Sequence, residues 1–337
     1  MSNPLISVII ACKNNQEYIR QCLESVKAQT HTNWELIIVD NFSTDGTLEI
    51  AKEFTDKIYQ LGPERSTQFN YGFTKSNGEL IYRIGAEFQL QPDVLTKCVD
   101  KINQGFDALA VHNRSKGDSI WAKVRYLERE SYKNDNTVVA VRFFRREVFE
   151  KVGGFDESLI ANEDFDLHNR IVDAGFTWSH VDALEEHLGE PKNLAEVWKK
   201  FYYYGRSIGN YIKKDKQKNQ KHIKIFRSTF EQIYPELIKD WKLFCAFYIY
   251  MTVKFIAGGL GYLRGPQQFL EKSKLEKDKQ ENRNENRFAK KNKKNQLELN
   301  QKQEVKDIIE KNLMVINYFI VFIALCDSLH LLLYYFV

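Results

Sequence analysis

Residues 36 to 47 read Leu36-Ile37-Ile38-Val39-Asp40-Asn41-Phe42-Ser43-Thr44-Asp45-Gly46-Thr47. The apolar run at the start of this stretch predicts a buried strand that ends at Asp40. The turn and cap residues that follow predict a helix that begins at Thr47. Asp40 is therefore held by a rigid element, where its carboxylate could accept hydrogen bonds from the base or ribose of a nucleotide. Asp45 is better explained as a cap of the helix.

The segments on either side repeat this alternation of strand and helix. A β-rich run, Ile6 to Ala11, precedes a helical pattern from Glu17 to Gln29, and a helix from Thr47 to Phe54 leads to a short strand near Ile58. Strands that alternate with helices predict an α/β fold with a mostly parallel sheet that is covered on both faces. Such sheets bind ligands beyond the carboxyl ends of their strands. The loop after the first strand, at such an end, reads Lys13-Asn14-Asn15.

Two further stretches carry groups that suit phosphates. Arg65 and Gln68 are spaced i, i+3 at the predicted start of a helix, and a helix N-terminus with an arginine suits a diphosphate. A surface arginine explains Arg65 equally well. The predicted strand Leu80 to Ile84 ends in Gly85-Ala86-Glu87-Phe88. A carboxylate beyond a strand end is placed to hold a divalent cation against phosphates, so Glu87 is a candidate metal ligand.

An acidic stretch follows in the second half of the α/β region. It runs from Gly153-Gly154-Phe155-Asp156-Glu157 to Asn162-Glu163-Asp164-Phe165-Asp166-Leu167-His168. Glu163 and Asp164 precede a helical pattern, and adjacent residues on a helix point about 100° apart. One carboxylate of the pair can therefore face a cleft while the other braces the backbone or a basic side chain. The alternative is acidic capping of a surface helix.

Together these motifs resemble the family 2 glycosyltransferases, which have the Rossmann-like GT-A fold, over residues 4 to about 190. The resemblance implies an inverting transferase that uses a UDP- or GDP-sugar and a divalent metal, Mn²⁺ or Mg²⁺. It implies that Asp164 is the general base, with Glu163 beside it, and that Asp40 contacts the base of the nucleotide. The full set of donor-binding residues that it implies is Ala11, Lys13, Asn15, Asp40, Ser43, Arg65, Gln68 and Ala86.

The chain departs from the family pattern at the metal site. The family shows Asp-x-Asp where this chain has Gly85-Ala86-Glu87. A metal could still bind through Glu87, the donor diphosphate and waters, because Mg²⁺ keeps several ligands that are not protein. The resemblance also implies that His187 adds a ligand from a closing loop, although a partly exposed histidine is the simpler explanation. The lost aspartate leaves open a non-catalytic nucleotide-sugar-binding protein.

Three residues outside these motifs are candidates for contacts to the acceptor or to phosphate: Trp121, Arg142 and Arg206. Trp121 lies in the segment Ser119 to Arg129, which mixes aromatic and charged residues as an acceptor groove would. The same segment is typical of an amphipathic helix that covers the sheet. Arg142 belongs to a predicted strand, Val138 to Phe144, and Arg206 follows an aromatic run.

The chain divides into four predicted regions. The glycosyltransferase domain spans residues 1–190, amphipathic helices span 191–265, a charged linker spans 266–312 and an anchor helix spans 313–337. Within the second region, Trp241 to Leu263 is interpreted as an interfacial helix, a full span or a packing helix. Lys254 argues against a full span, because a charge inside a bilayer is costly.

The last 25 residues are overwhelmingly apolar, and as a helix they would be about 37 Å long, enough to cross a bilayer. A helix packed on the protein is the alternative. The basic stretch before them places the catalytic domain in the cytoplasm, and five cysteines without metal spacing suit a reducing compartment. The net charge of +4 does not suggest nucleic acid as a partner.

The predicted function is transfer of a sugar to a lipid-linked saccharide or polyprenyl phosphate at the cytoplasmic face of a membrane. Aromatic residues beside lysines and arginines, as after Trp198, suit such an interface. A soluble transferase that acts on protein or on a polymer precursor is a further alternative.

Overall fold

A computed structural model describes residues 3–133, 135–136, 140–215, 218–219 and 228–265 of the chain. The predicted linker at 266–312 and the predicted anchor at 313–337 lie outside these residues.

Within the described residues, eight strands form one sheet in the order β3-β2-β1-β4-β7-β6-β8-β5. The strands are β1 (Ile6–Cys12), β2 (Trp34–Asp40), β3 (Ile58–Gln60), β4 (Leu80–Gly85), β5 (Phe88–Leu90), β6 (Ala108–Ser115), β7 (Phe143–Arg145) and β8 (Trp178–His187).

Parallel pairing of the first four strands creates the edge on which the site is built. β1 lies between β2 and β4, and β2 pairs with β3. Cys12 is opposite Asp40, and Ala11 is opposite Gly85, so the carboxyl ends of three strands meet at one edge. β6 and β8 are also parallel, whereas β7 is antiparallel to β4 and β6, and β5 is antiparallel to β8. The antiparallel pairing of β5 with β8 places the end of β8 beside the residues that follow β4.

Helices cover both faces of this sheet, as the strand–helix alternation predicted. The helices are α1 (Ile19–Lys27), α2 (Thr47–Ala51), α3 (Arg65–Thr74), α4 (Val94–Asn103), α5 (Ile120–Ser131), α6 (Arg146–Val152), α7 (Glu163–Asp173), α8 (Leu194–Lys214), α9 (Tyr234–Leu237) and α10 (Trp241–Arg264), with a 3₁₀ helix at Ser228–Gln232. Residues of α1 and α4 share one buried core with the sheet, and residues of α3, α6 and α7 share the other.

A third apolar core lies away from the sheet, where α5 packs against α8, α9 and α10. Val124 and Leu127 of α5 meet Val197 of α8 and Phe247 and Tyr250 of α10 there. The segment around Trp121 is therefore an amphipathic helix, as one of the two interpretations expected. The strand expected at Val138 to Phe144 is found at Phe143–Arg145, and residues 138–139 of that expectation are outside the described part of the chain.

Helices α8 and α10 approach so closely that their backbones touch at glycines. A Cβ atom on Gly205 would meet the carbonyl oxygen of Gly258, and one on Gly261 would meet the carbonyl oxygen of Tyr202, both well under 3.0 Å. Real Cβ atoms essentially never come this close, and a backbone oxygen cannot swing aside. The two helices therefore form one rigid unit.

Lys254, the charge that argued against a membrane span, points into the protein. Its Nζ lies 2.5 Å from Oε1 of Glu128 on α5. The side chain of Glu128 is 1% exposed. The opposite face of α10 carries large apolar side chains that are exposed: Ile249, Ile256, Leu260 and Leu263. Among the described residues, α10 is the one helix whose length and composition would allow it to cross a membrane. Its charge is neutralised inward and its outward face is apolar.

Glycine 261 gives a direct test of the close helix packing. We expect Gly261→Ala to lower the free energy of unfolding by about 1–3 kcal/mol, the usual cost of overpacking, because the methyl group must push the α8 backbone away. Gly258→Ala, one turn earlier, is the matched control, because its Cβ would lie 3.9 Å from its nearest neighbour, the carbonyl oxygen of Phe201. It should be neutral or stabilising by up to about 1 kcal/mol through helix propensity. Thermal unfolding of both variants measures the difference, and equal stabilities would contradict the packing.

Candidate active site

The loops after β1 and β2 are joined into one structure by hydrogen bonds between side chains and backbone. The backbone N–H of Asn14 donates to Ser43 Oγ (2.8 Å), and Oδ1 of Asn14 accepts from the N–H of Thr44 (2.9 Å). The N–H of Asn15 donates to Thr47 Oγ1 (2.8 Å). Asp45 accepts from the N–H of Thr47, the first residue of α2, but the N-cap residue of α2 is Gly46 and not Asp45 as the sequence predicted. The loops thus form a fixed rim at the edge of the sheet.

Asp40 is the buried centre of this rim, with a side chain that is 0% exposed. Its carboxylate accepts from the N–H of Ser43 (2.8 Å), from the Ser43 hydroxyl, from Gln60 Nε2 (3.3 Å) and from Cys12 Sγ (3.5 Å). These bonds occupy the roughly four acceptor positions of a carboxylate. A nucleotide base that contacts Asp40 must therefore replace one of them, and the bond from Gln60 is the longest of those from nitrogen or oxygen.

Two of the predicted phosphate contacts have other partners. Gln68 is 2% exposed, and its amide donates to the carbonyl oxygens of Cys12 (3.0 Å) and Val39 (2.6 Å). It ties the ends of β1 and β2 together and does not face the cleft, so its prediction as a donor ligand is corrected. Arg65, the first residue of α3, pairs with Glu163 at 3.0 Å, while its side chain stays 43% exposed. Arg65 thus keeps open donor groups.

The adjacent acids at the start of α7 have different surroundings. Glu163 is 2% exposed and held by Arg65; burial raises the pKa of its carboxyl, and the Arg65 charge opposes this rise. Asp164 is half-buried, and its Oδ1 accepts from the N–H of Phe165 (2.9 Å). The preceding residue, Asn162, has a left-handed φ of 64°, which turns the chain sharply into the helix. One acid braces and the other stays open, as the sequence pattern allowed.

The structure brings the two candidate metal ligands together. Nε2 of His187 lies 3.8 Å from Oε1 of Glu87, because β5 places Phe88 opposite His187. His187 is the last residue of a strand, so the expectation of a ligand from a closing loop is wrong. Burial lowers the pKa of His187 to about 4, and the positive charges of Arg129 and Lys200 act in the same direction. The imidazole is therefore neutral at neutral pH, as a metal ligand must be.

The Glu87 carboxylate occupies the space that a side chain at residue 85 would need. A Cβ on Gly85 would lie 2.5 Å from Oε2 and 2.8 Å from Oε1 of Glu87. In the described residues, no three His, Cys, Asp or Glu side chains converge on a metal position. Glu87 and His187 fit a metal that takes its other ligands from a diphosphate and water.

Comparison with known proteins identifies this arrangement. The sequence model of the family "Glycosyl transferase family 2" matches residues 7–155. Residues 7–155 therefore form a glycosyl transferase family 2 domain. Its relatives include the glycosyltransferase AglE of Haloferax volcanii, 28% identical, with 60% of this chain and 72% of that protein covered. The chondroitin synthase of Escherichia coli is 25% identical over 54% of this chain.

The match covers only part of several relatives. It spans 28% of that synthase, 58% of an uncharacterized glycosyltransferase of Rickettsia typhi and 29% of the putative glycosyltransferase EpsH of Bacillus subtilis. The mannosyltransferase PcManGT of Pyrobaculum calidifontis, solved with GDP-Man and Mn²⁺, is 17% identical with a TM-score of 0.50. The match covers 76% of this chain and 74% of that structure. It confirms the GT-A fold. The relatives are named as glycosyltransferases, and this glycosyltransferase is accordingly an enzyme of the transferase class.

The structure gives the three predicted acceptor or phosphate residues other roles. Arg142 is buried in an ion pair with Glu185 (3.0 Å). Trp121 packs against the third apolar core. Arg206 donates from Nε to the carbonyl oxygen of Gly265 (3.4 Å), at the end of α10. Arg142 is therefore corrected to a structural residue, because it pairs with the fully buried Glu185, while contacts of Trp121 and Arg206 with the acceptor stay predictions.

Sequence reasoning missed that α8 crosses over the acidic segment. Tyr203 donates its hydroxyl hydrogen to Glu64, Ser207 Oγ accepts from the N–H of Ala161 (3.2 Å), and Lys214 pairs with Asp166 (2.7 Å). These three residues recur at i, i+4 and i+11, so they lie on one face of the helix. That spacing was present in the sequence, but the aromatic and basic composition of α8 was interpreted as a membrane interface. Helix α8 therefore packs over the segment that carries Glu163 and Asp164.

The overlap between a side chain at residue 85 and the Glu87 carboxylate allows a test of the candidate metal site. We expect Gly85→Asp alone to give no gain in the affinity for Mn²⁺, because the new carboxylate must displace that of Glu87 and repels it. Gly85→Asp combined with Glu87→Asp restores an Asp-x-Asp pattern with shorter side chains, and it should bind Mn²⁺ at least several-fold more tightly than Gly85→Asp. Calorimetric titration with Mn²⁺ and UDP or GDP provides the comparison. Tighter binding by Gly85→Asp alone would show that Glu87 moves away freely.

Proposed function

We propose that this enzyme transfers a sugar, with inversion, from a UDP- or GDP-sugar to a lipid-linked saccharide or polyprenyl phosphate at the cytoplasmic face of a membrane. One observation carries the proposal. Of the two adjacent acids at the start of α7, Glu163 is neutralised by Arg65, whereas Asp164 has no ion-pair partner among the described residues. An inverting transfer needs one accessible base beside the donor, and Asp164 meets that requirement.

The proposed reaction is a single displacement. Asp164 takes the proton of the acceptor hydroxyl while that oxygen attacks the anomeric carbon of the donor sugar. The bond between that carbon and the phosphate oxygen breaks, and its electrons leave with the nucleoside diphosphate. Arg65, partly exposed beside the acids, is placed to stabilise the negative charge of the leaving group.

Glu87 and His187 are the residues that would hold a divalent metal. When it is bound, such an ion neutralises charge on the donor diphosphate. The main residues proposed to bind the donor lie at the ends of β1, β2 and β4 and in the loops that follow them. They are Ala11, Lys13, Asn15, Asp40, Ser43 and Ala86.

The proposed membrane acceptor rests on α10. Its exposed apolar face is continuous over about four turns, from Ile249 to Leu263, and the outward face carries no charge in that range because Lys254 is paired inward. A patch of this kind on a soluble protein marks a contact with a partner or a membrane. The cysteines of the described residues are free thiols, which suits the cytoplasm. The names of several relatives concern the synthesis of glycans.

A second candidate function is binding of a nucleotide-sugar without turnover. The observation that favours it is Gly85, where the family pattern has an acid. A screen with UDP- and GDP-sugars in the presence of Mn²⁺ or Mg²⁺ separates the two functions, because an enzyme releases nucleotide and a binding protein does not.

The role of Asp164 as the general base is tested by replacing its carboxylate with an amide. We expect Asp164→Asn to lower kcat by about 10²–10⁴-fold, because an amide cannot take the proton, and to leave donor affinity within a few-fold. Asp173→Asn, at the other end of α7, makes the same change at an exposed acid paired with Lys218 and should keep wild-type activity. Steady-state kinetics of both variants provide the test. Near-normal kcat in Asp164→Asn would remove this residue from the role and make Glu163 the next candidate.

The face of α10 is tested on a chain that ends at Gly265. We expect that chain to bind vesicles that contain anionic lipids and to be released by high salt or carbonate. Ile256→Glu with Leu260→Glu should abolish binding, because charges replace two apolar side chains that are 42% and 43% exposed. Val172→Glu, at a side chain on α7 that is 43% exposed, controls for added charge. Undiminished sedimentation of the double variant with vesicles would contradict the interfacial role of α10.

A further inference from the structure

A group of buried charged side chains lies behind the proposed metal ligands. Glu190 follows the end of β8, and its side chain is 1% exposed. Its Oε1 accepts from Ser115 Oγ at 2.5 Å and lies 3.1 Å from Nη2 of Arg129 and 3.0 Å from Nδ1 of His187. The other oxygen, Oε2, lies 3.5 Å from Nε of Arg125. A carboxylate with these neighbours is fixed in place.

The two nitrogens of His187 therefore face two different acids. Nδ1 is buried and lies 3.0 Å from Oε1 of Glu190, in a contact whose angle is outside the range of a hydrogen bond, whereas Nε2 lies 3.8 Å from Glu87. A neutral imidazole carries one hydrogen, and the nearer carboxylate, that of Glu190, favours this hydrogen on Nδ1. Nε2 then presents its lone pair to the Glu87 carboxylate. Two electron-pair donors that face each other across 3.8 Å repel unless a cation lies between them.

We propose that Glu190 is a positioning residue of this transferase: it holds the hydrogen of His187 on Nδ1, so that Nε2 and Glu87 together bind the divalent metal of the donor diphosphate. This inference rests on the metal-assisted function proposed above. Acids that orient a metal-binding histidine in this way raise the basicity of the ligand and fix its ring. The ring is also held by Phe88, which packs against it edge-to-face at 4.8 Å.

The arginines that hold Glu190 belong to α5, and they connect the site to α10. Arg125 contacts both Glu190 and Glu128, and Glu128 accepts from Lys254 of α10. Burial opposes the charge of Glu190, but His187 and the two arginines outweigh it and keep the pKa of that carboxyl well below its usual range. The contacts with Ser115, Arg125 and Arg129 hold the Glu190 carboxylate in place as an acceptor.

The first experiment needs no variant of Glu190. The full chain, labelled with ¹⁵N in its seven histidines, gives imidazole ¹⁵N shifts, and His187→Gln assigns the signal of His187. We expect the neutral form with hydrogen on Nδ1 at pH 7.5 without metal. A hydrogen on Nε2, or on both nitrogens, would overturn the proposal. This measurement involves no activity, so it stands even if nucleotide release is never observed.

The second experiment measures the Mn²⁺ concentration at half-maximal binding of UDP or GDP. We expect Glu190→Gln to raise it about 10–100-fold, the usual effect of losing such a partner, and Glu190→Asp to recover part of the loss. Glu186→Gln is the matched control: it removes an acid of β8 that lies next to His187 in sequence but pairs with Lys116 at 2.6 Å, and it should leave the concentration unchanged. An unchanged value in a folded Glu190→Gln would overturn the role, while transfer that still depends on Asp164 would leave the proposed function intact.

Discussion

The ion pair between Arg65 and Glu163 joins the two halves of the cleft. Arg65 opens α3, beside the loops after β1 and β2, and Glu163 opens α7, which carries the acids. An unpaired carboxylate at the burial of Glu163 would be costly, so the pair is a condition for placing an acidic helix start against the sheet. It also separates the roles of two neighbours: Glu163 is used for structure, and Asp164 is left open.

The sequence predicted the parts of the site that follow strand ends. Apolar runs identify buried strands, and the parallel edge then gathers Asp40, Glu87 and the first loop without any knowledge of contacts. It did not predict which way individual side chains turn. Gln68 turns inward to two carbonyl groups, and Arg142 pairs with Glu185, which is 43 residues away in sequence. Such partners depend on how α3 packs against β1 and β2 and on the registers of β6 with β7 and with β8, which periodicity does not reveal.

The C-terminal helices show a second reason for failed predictions. Composition averages over all faces of a helix, whereas each face has its own surroundings. In α8 the aromatic and basic residues suggested a lipid interface, but one face meets Glu64, Ala161 and Asp166. In α10 a single lysine counted against a full membrane span, yet its partner is Glu128. Only the packing of α5 on α10, which joins residues more than 100 positions apart, separates the inner face from the outer one.

The backbone contact of α8 with α10 has a consequence for acceptor choice. The two helices move as one body, and α8 is fastened over the acids by Ser207 and Lys214. If α10 lies in the plane of the lipid headgroups, the height of Asp164 above that plane is set by rigid protein and not by a flexible tether. The helix pair then fixes the distance between Asp164 and the membrane surface. On the proposed membrane function, an acceptor whose reactive hydroxyl stands at the matching height would be used, and shorter or longer lipid-linked chains would be passed over whatever their terminal sugar.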